Sequence, residues 1–180
     1  MACVSCKSEK TEGENPFFSA WETPYGVPPF DKIRAEHFLP ALERGMSLHD
    51  AEIDAIASNN DDPTFGNVIE AYDAAGGMLA RTELVFGMLC AAENTPELQA
   101  LQERAMPLLA AHYDRILLDE RLFARVKELY DRRGALDLDD VQLRLLEKTY
   151  RRFVRAGALL DAGRKARLKE INGELALAAV

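Results

Sequence analysis

Apolar residues in this chain recur at steps of three and four along most of its length, and no segment sustains an alternation of apolar and polar residues. A helix turns once every 3.6 residues and a strand alternates with a period of two, so this pattern builds helices and leaves a sheet no buried face. The fold expected is all-α, an antiparallel multi-helix array of about six helices joined by short loops. With 180 residues, 48% of them hydrophobic and 29% charged, the chain is long and apolar enough for one globular domain. No run of 18 apolar residues occurs, so the sequence predicts no transmembrane segment.

The helices do not begin at once. Residues 1–14 form a polar tether expected to be disordered, and residues 15–180 form the helical domain. Residues 15–30, NPFFSAWETPYGVPPF, hold four prolines and five aromatics. Proline removes amide donors and disfavours helix in the preceding residue, so this segment is an extended arm. Phe17, Phe18, Trp21, Tyr25 and Phe30 are costly in water, which predicts that the arm packs along the helical body.

The first helix is expected from about Glu36, with Pro40 near its first turn and a stripe of Leu42, Met46, His49, Ile53 and Ile56. Asn59 to Pro63 ends it. Thr64 caps a second helix running to about Ala92, with Phe65, Val68, Tyr72, Ala75, Leu79, Phe86 and Leu89 inward. Gly76 and Gly77 inside it point to a bend or a closely packed neighbour. Thr95-Pro96 opens a third helix bearing Leu98, Leu101, Ala105, Leu108 and Leu109, with a kink expected at Pro107. A fourth spans about Asp119 to Arg133, burying Leu122, Phe123, Val126, Leu129 and Tyr130. A fifth spans about Asp139 to Ala156, with Val141, Leu145, Leu146, Thr149 and Phe153. Asp161 opens a sixth carrying Leu168, Ile171 and Leu175, which reads as a truncated helix because apolar residues continue to Val180.

Charge is unevenly placed. The net charge is −8, yet residues 121–170 carry a net +6 and the remainder −14. Arg144, Lys148, Arg151, Arg152 and Arg155 sit at helical spacings without an aromatic platform for bases, so a solvated helix face is expected and no nucleic-acid surface.

Candidate sites are few. Zinc in helical peptidases is held by two histidines four residues apart on one helix face together with a third ligand. The histidines here, His37, His49 and His112, have no such spacing. His37 is read as a capping or surface residue, His49 as a core or edge histidine, and His112, beside Asp114, as a helix-end residue. Asp61 and Asp62 look like a turn. Asp137, Asp139 and Asp140 lack the glycine and terminal glutamate of a calcium loop. Cys3 and Cys6 form an unsupported C-x-x-C pair, and Cys90 is expected on a buried helix side. No catalytic, cofactor-binding or metal-binding residue is therefore assigned.

Two resemblances add to this. The start, Met1-Ala-Cys-Val-Ser-Cys-Lys, resembles the cleavage region of a bacterial lipoprotein without its basic and apolar upstream part. It implies a periplasmic or lipid-anchored envelope location, with the cytoplasm as the alternative. The segments TPYGVPPFDKIRAEHFLPALERGM, PTFGNVIEAYDAAGGMLAR, LFARVKELYDRR, RLLEKTYRRFVRAGALL and KARLKEINGELA resemble the N-terminal region of bacterial peptidyl-dipeptidases. These dipeptidyl carboxypeptidases are zinc metallopeptidases of the thimet-oligopeptidase family, and the proline-rich approach is more similar to them than to oligopeptidase A. The resemblance implies an all-α domain forming one wall of a deep channel for short peptides. In the full-length enzyme a zinc-activated water, with glutamate as base, would release dipeptides from peptide C-termini. Those residues would lie in a C-terminal catalytic domain beyond Val180, leaving this chain alone inactive. The alternative is a helical module that binds peptides without cleaving them.

Overall fold

The computed structural model describes residues 15–93 and 95–178. The tether of residues 1–14, with Cys3 and Cys6, lies outside them. Among the described residues the fold is all-α, as the periodicity predicts: α1 (Ala35–Ala57), α2 (Ala71–Ala74, entered through a π-helical segment Phe65–Glu70), α3 (Gly77–Glu93), α4 (Pro96–Leu117), α5 (Glu120–Asp131), α6 (Asp140–Arg155) and α7 (Ala162–Ala178).

Helix starts follow the caps legible in the sequence. Thr64 Oγ1 accepts the amide of Asn67 at 3.1 Å while Asn67 Oδ1 accepts that of Thr64 at 2.9 Å, a reciprocal cap. Thr95, Asp119 and Asp139 cap α4, α5 and α6 through their side-chain oxygens, and Gln142 returns the bond to the Asp139 amide. Asp139 is thereby engaged with the amides of Val141 and Gln142.

The second expected helix is split, and this is the main correction. Its first turns are π-helical, and the chain then leaves helical geometry at Ala75 (ψ 154°) and Gly76 (φ 77°) before α3 begins. The widened turn has no signal in the local sequence. The break does: a positive φ is inexpensive only for glycine. Both readings of Gly76 hold, because a Cβ there would also lie 3.0 Å from the His49 ring. The stretch from Phe65 to Glu93 is long and apolar enough, by length and composition alone, to cross a membrane. Here it is interrupted, and Val68, Ile69, Leu79, Val85 and Phe86 are buried in the protein's own interior.

Two apolar clusters fill that interior. One gathers Phe17 of the arm, Phe38, Leu42, Leu79, Phe86 and Leu101. The other gathers Ile53, Ile69, Leu122, Val126, Leu146 and Phe153 around α5, α6 and the end of α1. Helix α1 runs through both. It crosses α3 where a Cβ on Gly45 would stand 2.9 Å from the Leu79 Cα, so only glycine admits this approach.

The stripes hold with local exceptions. The arm delivers Phe17 to full burial and leaves Phe18 and Trp21 half-buried, but Tyr25, at a positive φ in the exposed turn Pro24–Gly26, and Phe30 are exposed. Leu108 is exposed because α4 faces inward along Leu98, Leu101, Ala105, Leu109, His112 and Ile116. Val141 lies in the first turn of α6, ahead of its buried stretch, and Ile171 and Leu175 lie on the outer side of α7, which packs mainly on α4. Helix α4 continues through Pro107.

The basic third meets the rest of the chain at defined points. Arg125 donates to the carbonyls of Asn59 and Asp61, Arg132 to that of Pro63, and Arg121 pairs with Asp54. Arg144, Lys148, Arg151, Arg152 and Arg155 are exposed.

The glycines give a direct test. Gly76→Ala is expected to cost about 1–3 kcal/mol, from the positive φ and the contact with His49. Gly87→Ala, in a mid-helix position with nothing within 4 Å of the new methyl, is expected to gain about 0.5–1 kcal/mol. Chemical denaturation of both variants checks this, and equal effects would contradict the assigned backbone.

Candidate functional site

Between the two apolar clusters runs a seam of polar side chains. His49, from the middle of α1, and His112, from the last third of α4, meet there with both rings buried. His112 Nε2 lies 3.0 Å from His49 Nδ1. The other nitrogen of His112, Nδ1, lies 3.3 Å from Asp50 Oδ1 and 3.0 Å from Arg115 Nη2, and Asp50 and Arg115 form their own ion pair. On the α3 side, Tyr113 donates to Glu83 Oε2 at 2.5 Å. The amide of Gly76 donates to Glu52 Oε2 at 2.7 Å, so the broken helix end is tied to α1.

The seam opens at both ends. A groove of about 670 Å³ between α1, α4 and α7 is lined by Met46, Asp50, Leu108, His112, Lys169 and Gly173. On the opposite side a cavity of about 160 Å³ is bounded by His49, Tyr72, Gly76, Tyr113 and Arg152.

Electrostatics restrict what the pair can do. Burial pushes both imidazoles below their ordinary value. For His49 the carboxylates of Glu52 and Asp50 oppose that shift, and for His112 Asp50 opposes it while His49 and Arg115 reinforce it. Burial also raises Glu83, although the hydrogen bond from Tyr113 counters this, and Tyr113 is pushed well above its ordinary range. A ring-to-ring hydrogen bond needs one donor and one acceptor. The pair therefore shares one proton between the facing nitrogens and cannot keep this contact as two imidazolium ions.

The resemblance implies zinc, and these residues do not fit it. Asp50 and His49 approach opposite nitrogens of the His112 ring, so the three cannot converge on one ion. Among the described residues no three His, Cys, Asp or Glu side chains gather into a metal-holding group.

His37 accepts the Arg34 amide at Nδ1 (3.1 Å), a capping role in the first turn of α1. His49 is a core histidine. His112 is not a helix-end residue: it is buried within α4 and bonded to His49 and to the Asp50–Arg115 pair, while Asp114 pairs with Asn172 of α7. The pairing of His112 with His49 spans 63 residues. The available signal was that His112 continues the Leu98–Leu109 stripe by one further step of three, as His49 continues that of α1. Asn59 and Asp61 form a turn, with the Asp61 amide on Asn59 Oδ1. Cys90 is buried, as expected.

Both histidines bind a proton less readily folded than unfolded, so below about pH 6.5 the unfolded chain carries more protons. Their contribution to stability is thus full above that pH and is lost as pH falls toward the depressed folded values. Glu83 works the other way, since its raised value favours the folded state on acidification. In a Glu83→Gln background, unfolding free energy should fall below about pH 6.5, and the double change His49→Gln, His112→Gln should flatten that slope. An unchanged slope would contradict the buried pair.

No protein-family model matches the chain. It is 43% identical over 162 residues to the dipeptidyl carboxypeptidase of Escherichia coli K12, which covers 90% of this chain and 24% of that protein. It is 40% identical over the same length to the dipeptidyl carboxypeptidase of Salmonella typhimurium, and 25% identical over 153 residues to oligopeptidase A of E. coli. The relatives of 40% identity and above are bacterial, which supports a bacterial origin. The chain spans about a quarter of the length of these dipeptidyl carboxypeptidases. Over that quarter the chain is similar in sequence to dipeptidyl carboxypeptidases.

Proposed function

We propose that this chain is the N-terminal helical part of a peptidyl-dipeptidase, forming one wall of the channel through which short peptides reach a catalytic centre built from polypeptide outside the described residues. The observation that carries the reading is the 43% identity maintained over 90% of the chain. The gap between that figure and the 25% found with oligopeptidase A favours removal of C-terminal dipeptides over internal cleavage. The histidine seam fits a structural part: its polar groups answer one another in pairs, and its carboxylates do not meet at a shared centre. Zinc, a hydrolytic water and its general base belong in this reading to the missing catalytic domain, and short peptides are the ligands. Lipidation at Cys3 or Cys6, placing the protein at the cell envelope, is part of the same proposal.

The test uses the longer polypeptide that contains this chain, incubated with peptides blocked at either terminus. Release of C-terminal dipeptides, stopped by a chelator and by a blocked C-terminus, is the expected outcome, with the 180-residue chain alone giving none. Cleavage at internal bonds with a blocked C-terminus would instead indicate an oligopeptidase A-like endopeptidase. Chelator-sensitive dipeptide release by the 180-residue chain would overturn the proposal.

A further inference from the structure

Helix α3 is apolar on its water-facing side as well as on its buried one. From Gly77 to Ala92 its charged residues are Arg81 and Glu83, and both are engaged with the protein. Arg81 donates to the carbonyl of Phe17 at 2.7 Å and lies over the Trp21 ring at 4.6 Å, while Glu83 accepts from Tyr113. The side toward water is apolar too: Gly77, Ala80, Leu84, Gly87 and Ala91 follow one another at steps of three and four, Met88 lies four beyond Leu84, and all six are exposed. Leu84 is 67% exposed and Met88 52%. A helix apolar on every side is ordinarily one enclosed on every side. Gly87 strengthens the point, since glycine in mid-helix weakens the helix and nothing in this fold lies within 4 Å of the Cβ it lacks. The glycines and alanines leave shallow grooves beside two large apolar knobs, the surface another helix packs against by ridges and grooves.

We infer that the outer face of α3 is a docking surface for a helix of the polypeptide that follows Val180, and that Leu84 and Met88 become buried there. The inference rests on the reading of this chain as part of a longer peptidase. The relatives that it matches at 40% identity or more extend over roughly four times the matched length, as each is covered to only 24%. That supplies an occupant within the same chain and makes a stranger unnecessary. A second copy of this chain, or a bilayer meeting the same apolar face, would leave a different experimental record.

Hydroxyl-radical footprinting read by mass spectrometry compares the 180-residue chain with the longer polypeptide containing it. Leu84 and Met88 should be oxidised readily in the short chain and at least tenfold more slowly in the long one. The double change Leu84→Gln, Met88→Gln should lower the thermal midpoint of the long polypeptide and leave that of the short chain unmoved. Equal oxidation in both forms overturns the inference. So does protection of the short chain that grows with its concentration, which marks a second copy, or protection that appears only with phosphatidylglycerol–phosphatidylethanolamine vesicles. Dipeptide release is measured on the same long polypeptide. Release with Leu84 and Met88 still exposed removes this inference alone; protection without release removes the proposed activity alone; a reading frame that stops at Val180 removes both.

Discussion

Helix α1 sets the frame of this protein by coming unusually close to the segment that follows it. Gly45 lets its backbone press on Leu79, and Gly76 gives up a side chain where His49 needs the room. A methyl at either place would push the elements apart, and tightly packed interiors accommodate such shifts poorly. The same approach puts Glu52 within reach of the Gly76 amide, so one carboxylate satisfies the donor exposed where the helix breaks. The broken helix, the two apolar clusters and the seam between them all follow from that crossing.

The seam is a compromise between burial and polarity. Two imidazoles are carried into the interior on stripes that otherwise bear aliphatic residues. Each answers the other's hydrogen-bonding need, and the Asp50–Arg115 pair closes the outer side. An arrangement of this kind fixes the register of α1 against α4, because sliding by one turn would leave four polar groups without partners. It gives the fold definition, and it does so without gathering the ligands that hydrolytic metal chemistry demands.

Elsewhere apolar residues face water as well as the core. Helix α3 spends its two central charges on the arm and on Tyr113 and shows leucine, methionine and small residues to water. The arm explains half of this: Arg81 anchors it through the Phe17 carbonyl and Trp21, which lets Phe17 enter the core. Relatives about four times as long as the region matched here give the other half a natural setting.

Much of the fold was legible in the order of residues. Threonine or aspartate ahead of most runs, proline at the first position of α4 and a period near 3.6 determined where most helices start and that the described residues build helices, because these are local effects decided within one turn. The likeness to dipeptidyl carboxypeptidases was legible too, in strings that no periodicity argument requires. What the sequence could not determine was which stripes meet. Leu108 and Val141 satisfy a helical pattern yet face water, and His112 looked like a helix-end residue until α4 was laid beside α1. Partnerships such as His49 with His112 depend on contacts across 63 residues, and those are decided by how whole helices cross, where a single glycine in place of alanine settles the distance.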